Sequence, residues 1–169
     1  MVRIKKRFVV SCALIALLAA CGLLSRTDQI AVALVDQGEL PEGLIAGDVQ
    51  TTAPASVVGS LPPNTETRTR EFRRAGRGYG WVVAFVVAAN TDTDALYGAV
   101  LGTLGPRAHP LPGLGEQAVA VDPTAGYPTA FAFVRCGVVV VIRMDVQAMQ
   151  PTLDYAQRLD RRLTTVACG

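Results

Sequence analysis

Few side chains in this 169-residue chain could do chemistry, and their spacing limits what they could do. Beyond residue 20 the only serines are Ser25, Ser56 and Ser60, none in a Gly-x-Ser-x-Gly setting, which speaks against a serine hydrolase. His109 is the sole histidine, in Arg107-Ala108-His109-Pro110. It could act as a general base or metal ligand, but no cluster of Cys, His or carboxylate ligands surrounds it. It reads as an exposed loop histidine. Asp92 and Asp94 stand where a helix should begin, so dipole complementation and capping account for them, and with Asn90 they are too sparse for calcium. Glu116 and Asp122 flank a short strand, and nothing in the sequence places them in one cleft.

The densest charged group is Arg68, Arg70, Arg73, Arg74 and Arg77, ten residues interrupted only by Glu71 as an acid. On a strand, Arg68 and Arg70 share a face. One reading is an anion-binding patch for lipid headgroups, a cell-wall polymer or an acidic envelope protein. The other is an edge strand guarded by charge against pairing with other chains. Gly76-Arg77-Gly78-Tyr79-Gly80-Trp81 has the glycine density of a nucleotide loop, but it precedes a strand instead of following one into a helix. A hairpin turn explains it better, with Trp81 as core.

The elements that must hold these residues follow from periodicity. A short helix is expected around 26–38, and a turn at Gly38–Gly43. Residues 51–64 are rich in Ser, Thr, Pro and Ala and read as a linker or long surface loop. Thr67–Arg74 suits an edge-type strand. The continuous apolar run Trp81–Ala89 suits a strand buried on both faces. A helix is expected over Asp92–Thr103, a short strand over Glu116–Val121, and a hairpin Thr129–Arg135/Val138–Met144 turning at Cys136-Gly137. A last helix, Thr152–Val166, carries the stripe Leu153, Ala156, Leu159, Leu163 and Val166. Hairpins without regular βαβ alternation imply a single α+β domain, mainly an antiparallel sheet with helices packed on one face.

At the N-terminus, Arg3, Lys5, Lys6 and Arg7 precede a 13-residue apolar run, Phe8–Ala20, which ends in Leu18-Ala19-Ala20-Cys21. This order resembles the signal peptide and lipobox of bacterial lipoproteins. The resemblance implies cleavage before Cys21, a diacylglyceryl thioether on its sulfur and acylation of the new N-terminus. An uncleaved span would need about 20 apolar residues, and the run is shorter, with Ser11 inside it. A plain signal peptide leaves the placement of Cys21 unaccounted for. The expected organisation is a signal at 1–20, a lipidated segment with helix and linker at 21–65, and a globular domain at 66–169 that 22–50 could join.

Removing residues 1–20 takes away four basic and no acidic side chains, so the net charge of +2 becomes −2. No global footprint for nucleic acid remains. Every basic residue of the mature chain is then arginine, which with abundant Ala, Val and Gly fits a GC-rich coding bias. Gly113-Leu114-Gly115-Glu116-Gln117-Ala118, the hairpin with a turn cysteine and the Leu-rich last helix look like sensor-type or uncharacterised lipoprotein domains of high-GC bacteria. That resemblance spans roughly residues 105–166, implies a small extracytoplasmic α+β domain and supplies no catalytic residues to carry over.

With Cys21 lipidated and Cys12 removed, Cys136 and Cys168 are the two cysteines left, in a compartment that favours disulfides. The strand Val138–Met144 carries the chain roughly 20–25 Å away from Cys136 at about 3.3 Å per residue. The last helix returns it about 20 Å at 1.5 Å per residue, so Cys168 is expected at the hairpin turn, bonded to Cys136. The functional expectation is a membrane-anchored, non-enzymatic binding or sensing domain with neither cofactor nor metal. The alternatives are an accessory subunit of an envelope complex and, less well supported, a carboxylate- or His-dependent envelope enzyme.

Overall fold

The computed structural model describes residues 24–87, 90–124, 128–145 and 149–169. Cys21 and the rest of the lipobox lie outside these, as does the side chain of Asp92. The helices are α1 (Arg26–Ala33), α2 (Asn90–Leu104) and α3 (Met149–Ala167), with a 3₁₀ turn at Gln37–Glu39. The strands are β1 (Leu44–Gln50), β2 (Glu66–Arg74), β3 (Arg77–Val86), β4 (His109–Pro110), β5 (Gln117–Val121), β6 (Thr129–Arg135) and β7 (Val138–Met144). They form one antiparallel sheet in the order β1-β2-β3-β7-β6-β5-β4. The α+β class and the single sheet are therefore as the sequence implies.

Helix placement differs from the expectation of one covered face. On one face Phe72, Val82, Ala84, Phe131, Phe133, Val140 and Ile142 pack under α1 and α3. On the other, Val83, Phe85, Ala132, Val134, Val139 and Val141 pack under Leu96, Tyr97 and Val100 of α2. The reason is visible in the strands. In β3, β6 and β7 both alternating sets are apolar, so each face must be kept from water. A sheet with helices on one side only would leave half of these side chains exposed.

Two further expectations change. Thr67–Arg74 is not an edge strand, because β1 pairs along its outer side, Leu44 opposite Arg74 and Gln50 opposite Thr69. The true edge, β1, is irregular in register between Ala46 and Val49 and carries Asp48, features that discourage further strand addition. Of the two readings of residues 51–64, the long surface loop holds and the linker does not. Val57 and Val58 are buried in the second core, Thr69 Oγ1 donates to the Thr52 carbonyl at 2.8 Å, and Thr103 Oγ1 donates to that of Val57 at 2.8 Å. The loop thus completes the cover that α2 begins.

The sheet is closed by α3. Its buried stripe is Tyr155, Ala156, Leu159, Leu163 and Ala167, while Leu153 and Val166 of the expected stripe are half-buried. Tyr155 stacks edge-on against Phe72, ring centroids 5.5 Å apart, and donates its hydroxyl to the Leu34 carbonyl beyond α1. Burial pushes its pKa up, and the charge of Arg70 opposes that shift weakly. On the hairpin side, Arg135 grips Asp160 with two bonds of 2.7 Å, and Asp160 also accepts the Gly115 N–H at 3.2 Å. Cys136 and Cys168 form the expected disulfide, Cα atoms 5.4 Å apart. Arg26 adds a third clasp by donating to the carbonyls of Cys136 (2.6 Å) and Ala167 (3.2 Å).

Asp160 is 7% exposed, so removing it leaves the Arg135 guanidinium and the Gly115 amide without their acceptor. Asp160→Ala should lower the unfolding free energy by about 3 kcal/mol. In urea titration this appears as an earlier midpoint at unchanged slope; a loss below about 1 kcal/mol would assign the pair no structural weight.

Candidate functional site

Beside the tip of the β6–β7 hairpin, on the face covered by α2, lies a polar cleft of about 380 Å³. Its walls are Thr93 and Asp94 of α2, Glu116 and Gln117 at the start of β5, and Val134, Cys136 and Gly137 of the hairpin. The turn itself, Cys136-Gly137, has φ values of 48° and 74°, both in the left-handed region that two-residue hairpins with right-handed twist require.

The wall formed by Glu116 is held close by local backbone geometry. Gly115 has φ 59°, and a Cβ there would sit 2.4 Å from the Val134 carbonyl oxygen, so only glycine lets the chain pass β6 at this distance. The next amide, Glu116 N–H, donates to that same carbonyl at 2.8 Å. Glu116 Oε1 then accepts the Cys136 N–H at 2.7 Å, tying the strand entrance to the hairpin. The Gly-Leu-Gly-Glu-Gln segment is thus a clasp: Gly115 reaches toward α3 through Asp160 and Glu116 toward the disulfide-bonded turn.

Among the described residues, two of the side chains lining the cleft are carboxylates, Asp94 and Glu116, and none is basic. Arg135 adjoins the turn but pairs with Asp160 under α3. The hydrogen bonds it donates to Asp160, chiefly, and then the charges of Asp160 and Glu116 raise its pKa against the effect of burial. Thr93 is 5% exposed, and its Oγ1 is buried without a hydrogen-bond partner. An unpaired buried hydroxyl costs free energy. Among the described residues the cleft lining offers carboxylates, the Gln117 amide and the Thr93 side chain. Among the described residues, no group of three or more His, Cys, Asp or Glu is arranged to hold a metal.

The other candidate residues lie elsewhere. Of the arginines, Arg68 faces α1 and pairs with Asp28 at 3.2 Å and Glu66 at 3.6 Å. Arg70, opposite Val82, is half-buried on the same face. Arg73 pairs with Glu71 at 3.2 Å, Arg74 lies over the Tyr79 ring at 5.6 Å, and Arg77 opens β3. The five guanidiniums are therefore not gathered on one surface. Asp28 also bonds Ser25, the N-cap of α1, and the Ser25 hydroxyl followed by Arg68 holds its carboxyl below the usual range. Ser56 and Ser60 are exposed in the loop over the second core.

His109 does have a neighbour that the sequence did not reveal: its Nε2 lies 3.2 Å from Asp122 Oδ2, because β4 pairs with β5. Asp122 follows the far end of β5 from Glu116, roughly 20 Å away at 3.3 Å per residue, so the two carboxylates do not share a cleft. Thr93 escaped notice because it stands in Asn-Thr-Asp-Thr-Asp, where every polar residue reads as a helix cap. Only the docking of α2 on the sheet buries its hydroxyl.

Thr93→Val keeps the branched shape and removes the unpartnered oxygen. Thermal or urea unfolding should show a gain of about 1 kcal/mol. A loss of that size would mean that the hydroxyl already has a partner within the fold.

No family model matches the chain, and no curated protein matches it in sequence. In fold it is similar to the crystal structure of the extracellular domain of PknH from Mycobacterium tuberculosis, with a TM-score of 0.56 and 10% identity. The match covers 82% of this chain and 96% of that one. At this identity the likeness is one of fold.

Proposed function

We propose that this chain is a lipid-anchored extracytoplasmic domain that binds a small polar ligand without transforming it. The observation that carries the reading is the disulfide Cys136–Cys168 beside the cleft, since such bonds persist in oxidising compartments and are rare in the cytosol. Two features support it. The fold is shared with a domain described as extracellular, and the first 21 residues have the order of a lipoprotein signal. Cys21 is the anchoring residue, and the segment between it and α1 is only a few residues long, which would hold the domain close to the membrane. Among the described residues no helix is long and apolar enough to cross a membrane, so in this reading the acyl chains do the anchoring.

The cleft offers carboxylates and an amide, groups that hold a polar ligand by charge and hydrogen bonds. One observation favours the accessory-subunit reading. Ile45 and Val49, on the β1 edge, are 64% and 41% exposed, an apolar content that a protein partner could cover. They lie on opposite faces of the sheet, Ile45 opposite Arg73 and Val49 opposite Arg70, so they do not form one patch. The binding-domain reading is preferred for that reason.

Fractionation of cells expressing the full chain tests the anchor. The protein should sediment with membranes, and mass spectrometry should find an N-terminal peptide that begins at a lipid-modified Cys21. Cys21→Ala should accumulate as unprocessed precursor or leave the membrane. An unmodified N-terminal peptide starting elsewhere would contradict the proposal.

A further inference from the structure

Resting on the reading of this chain as a binding domain, we propose that α2 is the moving wall of the cleft and leaves the sheet as a unit while the hairpin wall and α3 stay fixed. The two walls are held in different ways. The hairpin wall is locked by the Cys136–Cys168 bond, by Glu116 on the Cys136 N–H and by Asp160 on the Gly115 N–H. The facing wall is Thr93 and Asp94 of α2. Among the described residues, one side-chain hydrogen bond ties α2 to another element, from Thr103 Oγ1 to the Val57 carbonyl at 2.8 Å. Thr103 is at the end of α2 away from the cleft. On α3, Tyr155 donates to the Leu34 carbonyl, Asp160 accepts from Arg135 and Arg162 donates to the Ala33 carbonyl, in addition to the disulfide.

What seats α2 is apolar contact: Leu96, Tyr97 and Val100 are buried in one cluster with Val83, Phe85, Val139 and Val141. The seat also carries its own opposition. Thr93 and Tyr97 stand four residues apart on the buried stripe, 5% and 6% exposed, and both hydroxyl oxygens are buried without a hydrogen-bond partner. Each regains water when the helix lifts, so both oppose the seated state. The helix is also weak on its own. Gly98 and Gly102 lie in its interior, and a Cβ at either would meet nothing within 4 Å, so packing does not require them. Each disfavours the helix about fivefold relative to alanine. A 15-residue helix with two such positions does not persist off the sheet, so lifting and unwinding are one event. Because Asp94 moves with α2 while Glu116 and Gln117 stay with the hairpin, the width of the cleft follows the seating of the helix. A ligand touching both walls would hold α2 down, and occupancy would be read as order in α2.

The test is native-state hydrogen exchange of the full lipidated protein, disulfide intact, in detergent, with urea raised in steps below the unfolding transition. Amides from Leu96 to Leu101 should share one opening, exchange roughly 100-fold or more faster than the slowest amides of β3 and α3, and respond less steeply to urea than those do. The amides of Glu116 and Cys136, bonded within the fixed wall, should stay slow while α2 exchanges. Gly98→Ala with Gly102→Ala should slow exchange in α2 about 25-fold, and Thr93→Val about fivefold. Exchange of α2 only together with β3 and α3, on the urea slope of global unfolding, would overturn the proposal. So would exchange of Glu116 and Cys136 together with α2, or no slowing in the double alanine variant. Each of these results would leave the binding-domain reading standing. An unmodified Cys21 in the same preparation would contradict the lipid anchor and leave the movement of α2 as measured.

Discussion

The structure depends on how its last helix is held. α3 covers one face of the sheet, and without it Phe72, Val140, Ile142 and their neighbours would face water. Apolar contact alone would allow the helix to slide or fray at its end. Three devices prevent this at the hairpin: the Cys136–Cys168 bond, the Arg135–Asp160 pair and the Arg26 guanidinium bridging the carbonyls of Cys136 and Ala167. A disulfide closing a loop of this span, 32 residues, contributes on the order of 3–4 kcal/mol by restricting the unfolded chain. That is a large share of the 5–15 kcal/mol by which small domains are typically stable.

The same clasp shapes the other face. Cys136 is bonded through sulfur to the end of α3, and its amide is held by Glu116 across the cleft. Gly115 sends its amide to Asp160 beneath α3. The cleft wall on the α2 face is therefore tied to groups on the α3 face, through a sheet whose central strands are packed from both sides. Binding groups held by locked neighbours lose less freedom when a ligand arrives. This coupling ties the wall of the polar cleft near the hairpin to the seat of α3.

Much of this fold was legible in the chain, for physical reasons specific to each element. The hairpin Thr129–Arg135/Val138–Met144 is observed at the expected residues because its apolar runs and two-residue turn admit one register. The disulfide followed from strand and helix lengths. β1 was hidden because Gly47 and Asp48 break its alternation and its register is irregular, so only pairing with β2 defines it. Val57 and Val58 were hidden among prolines and small polar residues, although the second core needs them. The coverage of both faces could have been read from the strands: a run apolar in both parities, such as Val138–Ile142, cannot tolerate a bare side. The cleft was not legible, since Thr93, Glu116 and Gly137 meet only after the sheet forms. The Arg68–Arg77 cluster shows the reverse failure, because adjacency in sequence concealed a split between two faces and a turn.

The central claim is that the disulfide clasp holds the helix on one face and the cleft on the other as one unit. Native-state hydrogen exchange of the oxidised and gently reduced protein tests it most directly. On reduction, amides in the last turns of α3 should lose protection together with those of Glu116, Cys136 and Gly137, while β3 and the middle of β7 stay protected. Loss of protection confined to the helix end, with the cleft amides unchanged, would contradict it.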